Sequence, residues 1–175
     1  GYPKYDNPIP AREAKEKIKN VFCINNDKPI ILWMPTFIKI KSESMLNISS
    51  WLPFFGPLAD EFNVIIRPHP KTVASNPEII KSLNSYGVLI DTKLNSKLKN
   101  LYQAADLVLA DYGASVFSAI YMEKRLLLLN LPRESRFLKE VIIPGKRLDL
   151  IARDRVNSLD YEDSIKLLEK INSLL

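Results

Sequence analysis

The stretch from Ala104 to Asn130, AADLVLADYGASVFSAIYMEKRLLLLN, decides the fold. Leu107-Val108-Leu109-Ala110 is a short apolar run with the length and branching of a buried strand. It stops at Asp111-Tyr112-Gly113. Small residues, Ala114 and Ser115, then open a segment whose apolar positions Val116, Phe117, Ile120 and Tyr121 recur at helical spacing. A second apolar run, Leu126 to Leu129, follows almost at once. Strand, polar turn, helix and strand make a βαβ unit, and in open α/β sheets ligands bind at the carboxyl ends of the strands. The turn at Asp111–Ser115 is therefore the reference point for the rest of the chain.

Working outward, the same alternation repeats. Upstream, Leu98, Leu101, Tyr102 and Ala105 predict a helix from about Ser96, and Val88-Leu89-Ile90 predicts a strand ending at Asp91. Asn76-Pro77 reads as a cap and first turn for a helix through Ile79, Ile80 and Leu83, which Gly87 closes. Val64-Ile65-Ile66 is a strand, and Pro68 and Pro70 keep its exit through Arg67 and His69 extended, because each proline disfavours the α region for its predecessor. Ser50 is placed to cap a helix carrying Trp51, Phe54, Phe55, Leu58 and Phe62, with Gly56-Pro57 interrupting it. Residues Lys39 to Asn47 are polar and unpatterned and read as a mobile loop. Ile30 to Met34 is a buried strand ended by Pro35, so Thr36 lies just past a strand terminus. Pro10 opens a helix to about Phe22, with Ala11, Ala14, Ile18 and Val21 on its apolar face.

Downstream, a short helix is expected near Arg136-Phe137-Leu138 and a further strand at Val141-Ile142-Ile143. A last helix starts at Asp160, with Ile165, Leu168, Ile171 and Leu175 on one face. Five or six strands alternating with helices predict one Rossmann-like α/β domain, a parallel sheet with helices on both faces. Residues 1–175 are read as a single domain.

At 175 residues, with 46% hydrophobic and 26% charged content, the chain has enough material for one core. No run reaches the length of a membrane span, and the first residues lack the form of a signal peptide. Because Gly1 is not an initiator methionine, the chain is expected to be a piece of a longer protein. The single cysteine, Cys23, excludes an internal disulfide and reads as a buried thiol in a reducing compartment. The net charge of +5 is spread over helices where lysines alternate with acids. It reads as solvated surface, and without aromatic interleaving it carries no nucleic-acid signature. One histidine, one cysteine and no tight acidic cluster supply no metal-ligand set.

Three strand ends bring polar groups to one rim: Thr36, His69 and the Asp111–Ser115 turn. Exposed N–H groups at a helix start attract an anion, Gly113 and Ala114 let a phosphate approach the backbone, and Ser115 adds a hydroxyl. An ordinary βα turn with a helix cap has the same residues. His69 could serve as a base, a donor to phosphate or a structural residue, and the rigid Pro-His-Pro setting favours a positioned site. Arg67, two residues earlier, falls on the same side of an extended chain. Asp111 could orient a ligand hydroxyl or bond within its own turn. Tyr112 could cover a ligand or pack beneath the turn. Glu123 and Lys124 read as solvated charges.

Several of these residues resemble a known family. Gly1-Tyr2-Pro3-Lys4-Tyr5-Asp6 is similar to the G-x-P-R-x-D joint of the CDP-glycerol glycerophosphotransferases of teichoic-acid and capsule synthesis. Met34-Pro35-Thr36-Phe37 resembles their A-P-T-F segment, Arg67-Pro68-His69-Pro70 their R-x-H-P, and Ala110-Asp111-Tyr112 their T-D-Y-S-S. Val116 to Leu127 resembles the V-F-F-D-Y-x-x-x-D-K-P-I that follows. The four short motifs occur in family order. The resemblance implies the nucleotide-binding, C-terminal half of a GT-B architecture. Its donor would be CDP-glycerol or a similar CDP-polyol, its acceptor a hydroxyl on a polymer or lipid-linked chain, and CMP would be released. It further implies an essential role for His69 near the donor phosphates, binding by Thr36, Arg67, Asp111, Tyr112, Gly113, Ala114 and Ser115, and no cofactor. An N-terminal domain of the same protein would carry a second histidine, so this chain alone should bind without catalysing. A bacterial cytoplasmic location, peripheral at the inner face of the membrane, is implied as well.

The chain departs from the pattern in four places. Gly113 and Ala114 stand where the family has serines, Ser118 where it has aspartate, and Arg125 where it has proline. The donor could thus carry glycerol phosphate, another polyol phosphate or a sugar. A nucleotide-sugar GT-B glycosyltransferase and a non-catalytic α/β interaction module are the other two readings.

Overall fold

The computed structural model describes residues 3–92, 97–141 and 148–175. Among them, β1 (Ile30–Met34), β2 (Asn63–Ile66), β3 (Leu89–Ile90), β4 (Leu107–Ala110), β5 (Leu126–Leu129) and β6 (Asn157–Leu159) form one parallel sheet of order β3-β2-β1-β4-β5-β6. Chain direction across the sheet reverses between β1 and β4, whose register pairs Leu32 with Val108 and Met34 with Ala110. That switch point leaves a crevice at the carboxyl ends of the two strands.

The strands alternate their side chains between two layers. Ile31, Trp33, Val64, Leu107 and Leu109 pack under α2 (Leu46–Trp51), α3 (Gly56–Glu61), α5 (Ile79–Asn84) and α9 (Leu167–Leu174). Ile30, Leu32, Ile65, Val108 and Leu128 pack under α1 (Ala11–Phe22), α6 (Leu98–Ala104) and α7 (Ala114–Tyr121). Two further helices, α4 (Pro70–Ser75) and α8 (Leu148–Arg153), stand at the rim. The Rossmann-like α/β fold expected from the alternation is the fold observed.

Several local expectations change. Residues Lys39 to Asn47 are an anchored segment rather than a mobile loop. Ile38 is fully buried at its base. The Glu43 carboxylate accepts from the Ser135 hydroxyl and from the backbone N–H groups of Arg136 and Phe137. Pro70 opens α4 instead of extending the strand exit, since a proline N–H is not needed at a first helical position. The helix expected from Ser50 is broken at Leu52–Phe54, and Pro77 lies in a turn ahead of α5. Val141 ends a π-helical turn beginning at Phe137, and Ile142 and Ile143 lie outside the described residues, as does Ser96. The sixth strand is instead Asn157–Leu159, an edge strand whose only buried residue is Leu159.

Helical faces also rotate relative to the simple wheel. In α7 the buried residues are Val116, Ser118 and Ala119, while Ile120 and Tyr121 are exposed. The C-terminal segment begins with a 3₁₀ turn, which carries Ile165 out to 81% exposure and turns Leu167 inward beside Ile171. Val21 is 49% exposed at the end of α1, and Cys23, the left-handed residue closing α1, is exposed rather than buried. Lys124 is not a solvated charge. Its ammonium donates to the carbonyls of Gln103 and Ala105 at 3.0 Å each, closing the carboxyl end of α6, and burial lowers its pKa.

Candidate functional site

The carboxyl ends of β1, β2 and β4 meet around one cavity of about 370 Å³. Thr36 contributes from β1, Arg67 and His69 from β2, and Ala114 and Ser115 from the start of α7. Tyr5, Leu98, Tyr102 and Ser118 line it from the helix layer. Of the eight residues singled out from sequence, these five line the cavity, whereas Asp111, Tyr112 and Gly113 do not.

Asp111 is 2% exposed and works inside the protein. Its carboxylate accepts from the Thr36 N–H at 3.0 and 3.1 Å, from the Asn47 amide at 2.7 Å and from the Tyr112 N–H at 2.6 Å. Asn47 also donates to the Thr36 carbonyl at 2.8 Å. Asp111 therefore ties the exit of β1 to the turn after β4 and sets where Thr36 stands. Burial pushes its pKa up to about 6, outweighing the donors from Asn47, Tyr112 and Thr36 and the Arg153 charge, which pull it down. Asn47, in the segment read from sequence as loop, carries no signal of this role in its neighbours.

Tyr112 packs beneath the turn, 3% exposed. Its ring lies edge-on to Phe137, and the Arg153 guanidinium sits 4.0 Å above its centroid. Arg153 also donates to the Asp111 carbonyl and to the Asn130 side chain. Gly113 has φ of +82°, a conformation that favours glycine, and its N–H donates to the Asp149 carboxylate at 2.9 Å. Asp149 thus takes, from α8, the amide at the head of α7 that a phosphate could otherwise use. The side-chain hydroxyls on the cavity side of the turn belong to Ser115 and Thr36. The Ser115 hydroxyl leans on the Met34 carbonyl at 3.4 Å, and the Ser115 carbonyl accepts from Tyr102 at 3.3 Å.

His69 caps α4. Its Nδ1 accepts from the Lys71 N–H at 3.1 Å, and its ring stacks on Phe37 with centroids 5.5 Å apart. With Nδ1 committed as acceptor, the proton of the neutral ring is assigned to Nε2. Partial burial first, and the Lys71 charge second, hold the imidazole below its usual pKa, so the neutral donor form prevails. Arg67 reaches sideways to Asp91, Nη1 to Oδ2 at 2.9 Å, and Asp91 is buried at the end of β3. This pair holds the guanidinium at the cavity wall. Among the described residues no group of three or more His, Cys, Asp or Glu side chains could hold a metal ion.

The fold and site define a class: a doubly wound α/β domain whose ligand cavity lies at the switch point, between a cationic strand exit and a helix start. The chain belongs to the CDP-glycerol:poly(glycerophosphate) glycerophosphotransferase family, whose model matches residues 1–127. No curated protein matches it by sequence. Among solved structures it resembles the wall teichoic acid polymerase TagF, in a variant soaked with CDPG. The TM-score is 0.67 at 16% identity, covering 99% of this chain and 40% of the polymerase. A glycosyltransferase from Rickettsia africae ESF-5 gives a TM-score of 0.63 at 18% identity, covering 98% of this chain and 44% of that one. ADP-heptose LPS heptosyltransferase II of E. coli gives 0.58 at 16%, covering 93% and 51%. The chain thus spans less than half the length of the polymerase, and these likenesses establish the fold, the Rossmann-like half seen in GT-B enzymes.

Proposed function

We propose that this chain is the donor-binding domain of a transferase that moves glycerol phosphate, or a related polyol phosphate, from a CDP-activated donor to an acceptor hydroxyl in bacterial wall or capsule polymer synthesis. The observation that carries the reading is the convergence of three strand ends on one cavity, with His69, Arg67 and the head of α7 on its wall. Family membership supplies the reaction class. An N-terminal domain of the same protein would present the acceptor, and the whole enzyme would work at the inner face of the membrane. No helix among the described residues is long and apolar enough to cross a membrane.

In this reading the acceptor oxygen attacks the glycerol-bearing phosphorus. The bond from that phosphorus to the bridging oxygen breaks, and CMP departs with the bridging oxygen. Arg67 and the first free amides of α7 neutralise the growing charge on the phosphoryl oxygens. His69, neutral and protonated on Nε2, donates a hydrogen bond to the diphosphate and keeps its proton, and CMP departs as the anion with its charge held by that bond and by Arg67. No carboxylate among the described residues lines the cavity, and the acceptor's proton is assigned to a base on the acceptor side.

Calorimetric titration with CDP-glycerol, CDP-ribitol and a UDP-sugar tests the reading. A CDP-polyol should bind in preference to the UDP-sugar, and a folded chain that binds neither CDP-polyol would exclude it. A nucleotide-sugar glycosyltransferase is the second reading. It is favoured by Gly113 and Ala114, which remove two hydroxyls from the turn, and a preference for the sugar donor would select it.

A further inference from the structure

We propose that Phe37 is the positioning residue for His69, fixing the plane in which the imidazole meets the donor diphosphate; this rests on the donor-site reading above. The two residues come from neighbouring strand exits. Parallel pairing of β1 with β2 sets Trp33 beside Ile66, and the Arg67 N–H donates to the Trp33 carbonyl at 2.9 Å, carrying the ladder past the end of β2. Prolines stiffen both exits, Pro35 on one and Pro68 and Pro70 on the other. Phe37 is held further by its neighbours, since the Thr36 N–H is bound to Asp111 and Ile38 is fully buried. A ring on such a backbone is a fixed wall. The imidazole lies against it, with centroids 5.5 Å apart and planes inclined by 27°.

The bond from the Lys71 N–H to Nδ1, at 3.1 Å, holds one edge of the imidazole but lets the ring swing about that edge. Phe37 supplies the missing restraint, a surface for the face of the ring. With edge and face both held, the direction of the Nε2–H is set before the donor arrives, as a hydrogen bond to developing charge requires. The same contact takes water from one face of the imidazole and so favours the neutral ring, burial being the larger cause of its lowered pKa. The Lys71 ammonium lies over the Phe37 ring, 5.9 Å from its centroid, which keeps the second cause in place. His69 lines the 370 Å³ cavity and Phe37 does not. Phe37 therefore acts through the histidine rather than on the ligand.

The test pairs an NMR titration of His69 with CDP-glycerol affinity, both measured on this chain. Because His69 is the sole histidine, its signal reads the ring directly. Phe37→Ala should raise the titration midpoint toward 6.5 and weaken CDP-glycerol about tenfold, the lower end of what a lost hydrogen bond to a charged group costs. Phe37→Leu, which keeps apolar bulk without a flat face and stands in if the alanine variant does not fold, should weaken it at least about threefold. Phe37→Tyr keeps the ring and should match the parent in both readings within about twofold. In a His69→Ala background, loss of the Phe37 ring should cost less than about twofold more, because the side chain it acts through is gone. A ring that merely holds the fold together would cost as much with the histidine as without it. Parent-like affinity in Phe37→Ala or Phe37→Leu, a parent-like midpoint in Phe37→Ala, a Phe37→Tyr chain that loses affinity, or an undiminished loss in the His69→Ala background overturns the inference alone. A folded parent that binds no CDP-polyol overturns the donor-site reading and this inference together.

Discussion

The turn after β4 has two faces, and they are built for opposite ends. Toward the cavity stand Ala114, Ser115 and, across the gap, Thr36 and His69, around room for a ligand. Away from it, Asp111, Tyr112 and the Gly113 N–H are bound to Asn47 of α2 and to Arg153 and Asp149 of α8. The supporting side spends nearly all of its polar groups inside the protein. A site that must hold a ligand in one geometry needs its support locked by its own contacts, so that ordering is complete before the ligand arrives.

Substitutions should separate the faces cleanly. In the complete enzyme, His69→Ala should lower transfer by about 10²- to 10³-fold, the usual cost of removing one preorganised hydrogen-bond donor to developing charge. Its stability cost should be about 1–2 kcal/mol, from the lost cap at α4 and the lost ring against Phe37. Enzyme assay beside urea unfolding reads both, and a large loss of stability with little loss of rate would move His69 to the supporting side.

Asp111→Ala should do the reverse, costing about 3 kcal/mol of stability by orphaning the Asn47, Thr36 and Tyr112 donors. Its pH signature has a definite sign. With the folded pKa raised to about 6, the folded state holds a proton between about pH 4 and 6 that the unfolded chain has released. This group's contribution is therefore full below pH 4 and declines as the pH rises to 6. Urea unfolding across that range should show the decline in the parent chain and lose it in Asp111→Ala.

Asp149→Ala should cost about 1–2 kcal/mol, because the Gly113 N–H loses its partner at a half-buried position. Thermal unfolding measures it. The smallest effect belongs to Lys71→Ala. As the sole histidine, His69 offers a single imidazole signal for an NMR titration, with a midpoint below 6.5 in the parent. Removing the Lys71 charge should raise that midpoint, though not fully to 6.5, because burial is the larger cause.

Local pattern carried far in this chain. The apolar runs at Ile30, Val64, Leu107 and Leu126 are strands because three to five consecutive apolar residues bury on both faces of a parallel sheet, and that requirement is written in adjacent residues. The proline-flanked His69 and the turn at Gly113 were legible for the same reason, since backbone restriction is local. The edge strand Asn157–Leu159 was not, because it buries one residue and shows no run. Nor was α4 visible, since Pro70 suits a helix start as well as an extended exit.

What the sequence by itself determined is the alternation of elements, the rim on which they end and a histidine held there. Tertiary structure alone decided which polar groups stay free. Asp111 and Gly113 look available in sequence, and become committed only because Asn47, Asp149 and Arg153 arrive from residues 36 to 64 positions away. Tyr5 becomes a cavity wall only because it bonds to Ser118 of α7, 113 residues away in sequence. Hydrogen-bond partners at such separations leave no periodic trace in the chain, and it is those partners that turn a generic βα junction into a shaped site.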